Sequence, residues 1–235
     1  MGTLASELLL RRPGNRLLVA VDGVDGAGKT TFADDLAAAL RATGGGTARQ
    51  VVRVGLDDFH HVRQVRYRLG RTSPEGFWLD SYDLRQFIRY VLDPLISGAA
   101  EFRDRGHDLA TDEVLDPPPV PAAGDAIVVV DGLFLHRHRL RGYWDYSFFL
   151  DVPFDVAAAR MSVRDGSGAV HPNRNRYVGG QRLYFAAADP AAKADLVLDN
   201  SRDTTLGVMN AADVSYRRAH GWHRGPASGP SGAAR

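Results

Sequence analysis

The 235-residue sequence contains no cysteine. That absence removes disulfides, thiolate catalysis and cysteine–zinc sites together. Lysine is almost missing as well: of 29 basic residues only Lys29 and Lys193 are lysine. Net charge is nearly absent, at +1, so there is no global electrostatic case for nucleic acid or a membrane surface as partner. Long apolar runs are lacking too. The longest, such as residues 126–130 and 146–150, are far too short to span a bilayer. Near the N-terminus, Leu8, Leu9 and Leu10 precede Arg11 and Arg12, the reverse of the charge order in a secretion signal. The expectation is a cytoplasmic protein, with a homo-oligomer left open.

What is present is enough for a core: 44% of the residues are hydrophobic, and the length suits one α/β domain. Residues 16–22 (RLLVAVD) read as a buried strand ending at Gly23. Residues 29–41 are rich in alanine and leucine and read as a helix, stopped by the glycines that follow. Further strands are expected at 50–56, 126–130, 146–150 and 196–198, and helices at 82–96 and 154–163, with Pro94 disturbing the first of these near its end. Apolar strands that alternate with helices indicate a parallel sheet covered on both faces. Residues 166–180 break the pattern with Gly, Asn and Arg and read as a loop or lid. The domain is expected over 16–205, with the lid at about 164–180. Residues 1–15 then form an N-terminal extension. Residues 206–235 form a tail whose Gly-, Pro- and Ser-rich end is expected to be disordered.

Residues 23–30 (GVDGAGKT) fit G-x-x-x-x-G-K-[ST], the phosphate loop. The glycines let successive backbone N–H groups turn inward as an anion nest, and the helix that follows points its positive end at the same place. Gly23, Asp25, Gly26, Ala27, Gly28, Lys29, Thr30 and Thr31 are therefore the expected ATP-binding residues. Lys29 reaches the β- and γ-phosphates and the Thr30 hydroxyl meets Mg2+. That one of two lysines stands at position 29 argues for a compact ammonium that a planar guanidinium does not replace. The fold expected from this loop is a P-loop NTPase three-layer α/β sandwich with about five parallel strands and a small lid.

In open α/β sheets ligands bind beyond the carboxyl ends of the strands. Asp57 and Asp58 follow one strand and Asp131 another. Phosphoryl transfer to an alcohol needs a carboxylate that orients the hydroxyl and takes its proton. Asp57 is the expected base, and Asp131 the expected outer-shell Mg2+ group.

With these residues placed, residues 16–200 resemble the uridine kinase group, related to phosphoribulokinase and bacterial pantothenate kinase. Residues 57–60 (DDFH) resemble that family's acidic-x-Phe-Tyr segment, and 130–134 (VDGLF) its acidic-Gly strand end. The resemblance implies a kinase for a nucleoside of the uridine or cytidine kind, acting on its primary hydroxyl. It implicates Asp80, in 79–83 (LDSYD), in gripping ribose hydroxyls, and Phe102 and His107 in holding the base. Gln181 stands near a substrate-side glutamine, Arg164 at the start of the lid as a catalytic cation, and Arg174 and Arg176 as lid arginines. Phe102 departs from the family's usual Tyr. The basic group Arg63, Arg66, Arg68 and Arg71 leaves a sugar phosphate or a pantothenate-like alcohol as alternative acceptors.

Two other classes fit less well. Residues 178–182 (VGGQR) are similar to the signature loop of transporter-type ATPases, but Asn200 stands where a catalytic Glu would follow the last strand. A GTPase switch needs Asn-Lys-x-Asp, and residues 200–203 (NSRD) lack the lysine.

Overall fold

The computed structural model describes residues 1–44, 49–164, 166, 174–202 and 205–218. Six strands form the central sheet: β1 (Leu17–Gly23), β2 (Val51–Gly55), β3 (Ile127–Asp131), β4 (Tyr146–Asp151), β5 (Leu196–Arg202) and β6 (Thr205–Val208). Their spatial order is β6-β5-β4-β1-β3-β2. The pairings from β2 through β5 are all parallel, and only β6 runs antiparallel, against β5. Every residue of β1, β3 and β4 is buried, as unbroken apolar strands under two helical layers require. The antiparallel edge strand carries no clear signal in the sequence. It is four residues long with Gly207 inside it, too weak a pattern to read as a strand.

The main helices are α1 (Gly2–Leu9), α2 (Lys29–Gly44), α3 (Pro74–Asp80), a composite α4 over 84–96, α5 (Phe154–Arg164) and α6 (Arg174–Ala188). Among the described residues, none is long and apolar enough to cross a membrane. Helix α2 buries Phe32, Ala33, Leu36, Ala37 and Leu40 along one stripe, the spacing of a helix laid on a sheet. The segment expected as an N-terminal extension includes α1, whose Ala5 and Leu8 join the main core.

Helix α4 begins at Leu84 because Asp83 caps it, accepting from the N–H groups of Arg85 and Gln86. Pro94 does not break it. Residues Ile88–Leu92 widen into a π turn, and the helix resumes at Asp93. Proline lacks the N–H that would bond the Tyr90 carbonyl, and Arg103 N–H takes that carbonyl instead, at 3.0 Å.

The reading of 166–180 as loop fails from Arg174 onward, where α6 begins. Gly179 and Gly180 are not loop signals here. A Cβ on Gly179 would lie 2.7 Å from Pro74 Cγ, and one on Gly180 2.7 Å from Phe77 Cδ1. The two glycines let α6 pack directly on α3. The remainder of the expected lid, Asp165 and residues 167–173, lies outside the described residues, as does the expected disordered end of the tail from Ala219 on.

Candidate active site

Strands β1 and β3 pair in register, Val21 opposite Asp131, and β2 pairs with β3, Gly55 opposite Asp131. The phosphate loop after β1, Asp131 at the end of β3 and Asp57 just beyond β2 therefore emerge together at the carboxyl ends of neighbouring parallel strands. They line one open cavity of about 330 Å³. Its walls are Asp25, Gly26, Gly28, Lys29, Thr30, Thr31, Asp57, Asp131, Gly132, Arg160, Met161 and Arg164.

The loop has the conformation its glycines permit. Gly26 and Gly28 have φ of +77° and +80°, which other residues seldom adopt. Ala27 is fully buried, and its carbonyl accepts from Asn200 Nδ2 at 2.7 Å. Gly23 does not line the cavity; its N–H donates to Asp22 Oδ1 at 2.7 Å. Lys29 Nζ donates to the Val24 carbonyl at 2.8 Å. The Thr30 hydroxyl donates to Asp131 Oδ2 at 2.7 Å. Two hard oxygen donors held together beside a phosphate nest fit Mg2+.

Arg53 on β2 grips the other oxygen of Asp131 at 2.8 Å, and also bonds the Val129 carbonyl and Asp34. The sequence reading missed this residue, because an arginine in a strand carries no local sign of which neighbouring strand it meets. It also missed the buried Asp22. That carboxylate accepts from His136 Nδ1–H at 2.8 Å, from the His136 backbone N–H and from the Tyr184 hydroxyl. It thereby ties the root of the phosphate loop to α6.

Asp57 faces the cavity. Its Oδ1 accepts from the Tyr82 hydroxyl at 2.8 Å, and its carbonyl accepts from His60 Nδ1–H at 2.7 Å. Burial keeps His60 below its ordinary range despite the pull of Asp57, which favours the neutral ring with its proton on Nδ1. Asp58 lies outside the cavity lining, and burial, then the neighbouring Asp57, push its carboxyl up.

Several expected acceptor residues stand elsewhere. Asp80 is buried and held bidentately by Arg68 at 2.8 and 2.7 Å, so both oxygens assigned to ribose are engaged. Phe102 belongs to the core at 3% exposure, where it cannot offer a ring face to a ligand. His107 is equally buried. Its Nε2 is 3.3 Å from Asp112 Oδ1, but without hydrogen-bond alignment, and neither ring nitrogen is satisfied. Gln181 turns to the phosphate loop: its Oε1 accepts the Asp25 N–H at 2.8 Å. Arg176 is a strut rather than a lid cation. It is 3% exposed and donates to the carbonyls of Arg66, Gly70 and Ser73. The Arg174 side chain lies outside the described residues. Arg164 lines the cavity, with Arg160 and Met161 from the same helix.

No protein-family model matches the chain. It is 32% identical over 212 residues to a thymidylate kinase of Xanthomonas euvesicatoria, covering 89% of this chain and 83% of that protein. It is 30% identical over 205 residues to a thymidylate kinase of Xylella fastidiosa, covering 86% and 92%. Among solved structures, a possible uridine kinase from Bacillus stearothermophilus superposes with a TM-score of 0.66 at 22% identity, over 83% of this chain and 95% of that one. A D-glycerate 3-kinase from Cryptococcus neoformans gives 0.54 at 11% identity, over 88% and 97%.

Proposed function

Because the chain belongs to the P-loop kinases, whose members use ATP, we propose that it moves the γ-phosphoryl group onto the primary hydroxyl of a small molecule, a nucleoside of the uridine or cytidine kind. The observation that carries this is the shared cavity: Asp57 lines the same space as Lys29 and Thr30. A hydroxyl acceptor needs a carboxylate there, whereas a phosphate acceptor arrives already ionised.

In this reading the loop N–H groups cradle the phosphates and Lys29 leaves the Val24 carbonyl for them. Arg164 faces the charge that spreads over the transferring group. Asp57 aligns the acceptor hydroxyl and takes its proton. Mg2+, held at Thr30 with Asp131 behind it, would neutralise phosphate charge. Arg68 must release Asp80 if that carboxylate is to grip a ribose, and its largely exposed side chain leaves room to swing away.

A second reading rests on the thymidylate kinase relatives. A nucleoside monophosphate as acceptor would leave the Arg68–Asp80 pair as it stands and would make no demand on Asp57 as a base.

A coupled ADP-release screen decides between these. Nucleosides, nucleoside monophosphates, pantothenate and ribulose 5-phosphate are offered to wild type and to Asp57→Asn. Turnover of a nucleoside that falls on the order of 10²–10⁴-fold in Asp57→Asn supports the first reading. Turnover of a monophosphate that survives the substitution supports the second. The Asp58→Asn variant should stay close to wild type, since Asp58 lies off the cavity.

A further inference from the structure

We propose that Tyr82 is a positioning residue for Asp57, fixing one carboxylate oxygen so that the other is presented to the acceptor hydroxyl. This rests on the reading of Asp57 as the base.

The contact is direct, from the Tyr82 hydroxyl to Asp57 Oδ1 at 2.8 Å. Tyr82 is only 3% exposed. Burial, and then Asp57 itself, push its phenol well above the ordinary range, so it remains a donor at any working pH. Its backbone is fixed to the turn that carries the base. His60 and Tyr82 form an isolated antiparallel bridge. His61 N–H bonds the Ser81 carbonyl at 2.9 Å, and Asp83 N–H the Phe59 carbonyl at 2.8 Å. The ring lies 4.6 Å from His60 and 6.2 Å from Phe134, centroid to centroid. A hydroxyl held this firmly restricts an otherwise exposed aspartate to few rotamers. A carboxylate held within a fraction of an ångström of its productive position is what proton transfer requires.

The segment also joins the two halves of the site. Asp80 lies two residues before Tyr82, at the end of α3, and α3 packs on α6, whose Gln181 bonds the phosphate loop. Tyr82 is thus the point where the acceptor-side helix meets the base.

The test uses the full chain and the best acceptor from the screen, with Tyr82→Phe, Asp57→Asn and the double variant. Tyr82→Phe keeps the ring and removes only the donor. A hydrogen bond to a charged group of ordinary strength corresponds to a loss in kcat of roughly tenfold to a hundredfold. The KM for ATP should stay within about twofold and the melting temperature within a few degrees. In the Asp57→Asn background, Tyr82→Phe should cost nothing more, because the group it positions is gone. Wild-type kcat in Tyr82→Phe, beside a slow Asp57→Asn, overturns the proposal and leaves the base assignment intact. Equal losses from Tyr82→Phe in both backgrounds overturn it in favour of simple packing. Wild-type kcat in Asp57→Asn removes the base reading and the Tyr82 role together.

Discussion

Lys29 and the arginines around it show how residue identity matters more than charge. Arg160 and Arg164 line the same cavity, and 27 of the 29 basic residues are arginine, yet the loop keeps a lysine. Its ammonium folds onto the Val24 carbonyl at 2.8 Å, inside the curl of its own loop. A planar fork with five donors does not fit that curl. Lys29→Arg is expected to lower kcat by orders of magnitude in the ADP-release assay, while circular dichroism and thermal melting stay close to wild type. The same logic explains Arg53. Its fork reaches Asp34, the Val129 carbonyl and Asp131 from three separate nitrogens, a spread that the one nitrogen of an ammonium does not span.

Among the elements, the α3–α6 contact determines how the acceptor side meets the phosphate loop. A methyl group on Gly180 would come within 2.8 Å of the Pro74 carbonyl oxygen as well as 2.7 Å of Phe77, and backbone cannot step aside as a flexible side chain can. Gly180→Ala should therefore cost roughly 1–3 kcal/mol, despite alanine's better helix propensity. Urea denaturation reads this directly. The same contact shows where sequence reading stops. Strand β1 and the phosphate loop were legible because their signals are local: one apolar run, then glycines at fixed spacing. Asp57 and Asp131 were legible as acids closing strands. Helix α6 was not, because two adjacent glycines look like a loop until the partner they approach is known. Phe102 and Asp80 show the same limit. Their core packing and their Arg68 partner come from chain segments that no local window contains.

At the scale of the whole molecule, two groups of residues should each make stability fall with acid. Asp58 and Asp151 oppose them in part, because burial raises both carboxyls and their protonation favours the fold. Burial lowers both His60 and His61, so the folded chain resists a proton that the unfolded chain accepts near pH 6.5. Their contribution is present above that pH and is lost as pH falls below it. A second loss should follow below about pH 4. Asp108, held by the N–H groups of Thr111 and Ala110, and Asp199, held by Ser201, both sit low. They stabilise the fold only while ionised. Melting temperature measured across pH 4–8 should show the first step, and His60→Gln should flatten it; an unchanged slope in that variant would assign the step to other groups.

The strand order also sets a timetable for synthesis. Strand β1 lies between β3 and β4, and β2 pairs with β3 alone. Neither of the first two strands has a neighbour until about a hundred residues after β1 have been made. At roughly 5–20 residues per second, the backbone edge of residues 17–21 waits about five to twenty seconds before residues 127–131 emerge to pair with it. The segment that carries the phosphate loop thus waits longest for its place, and chaperone demand should concentrate on the first half of the chain.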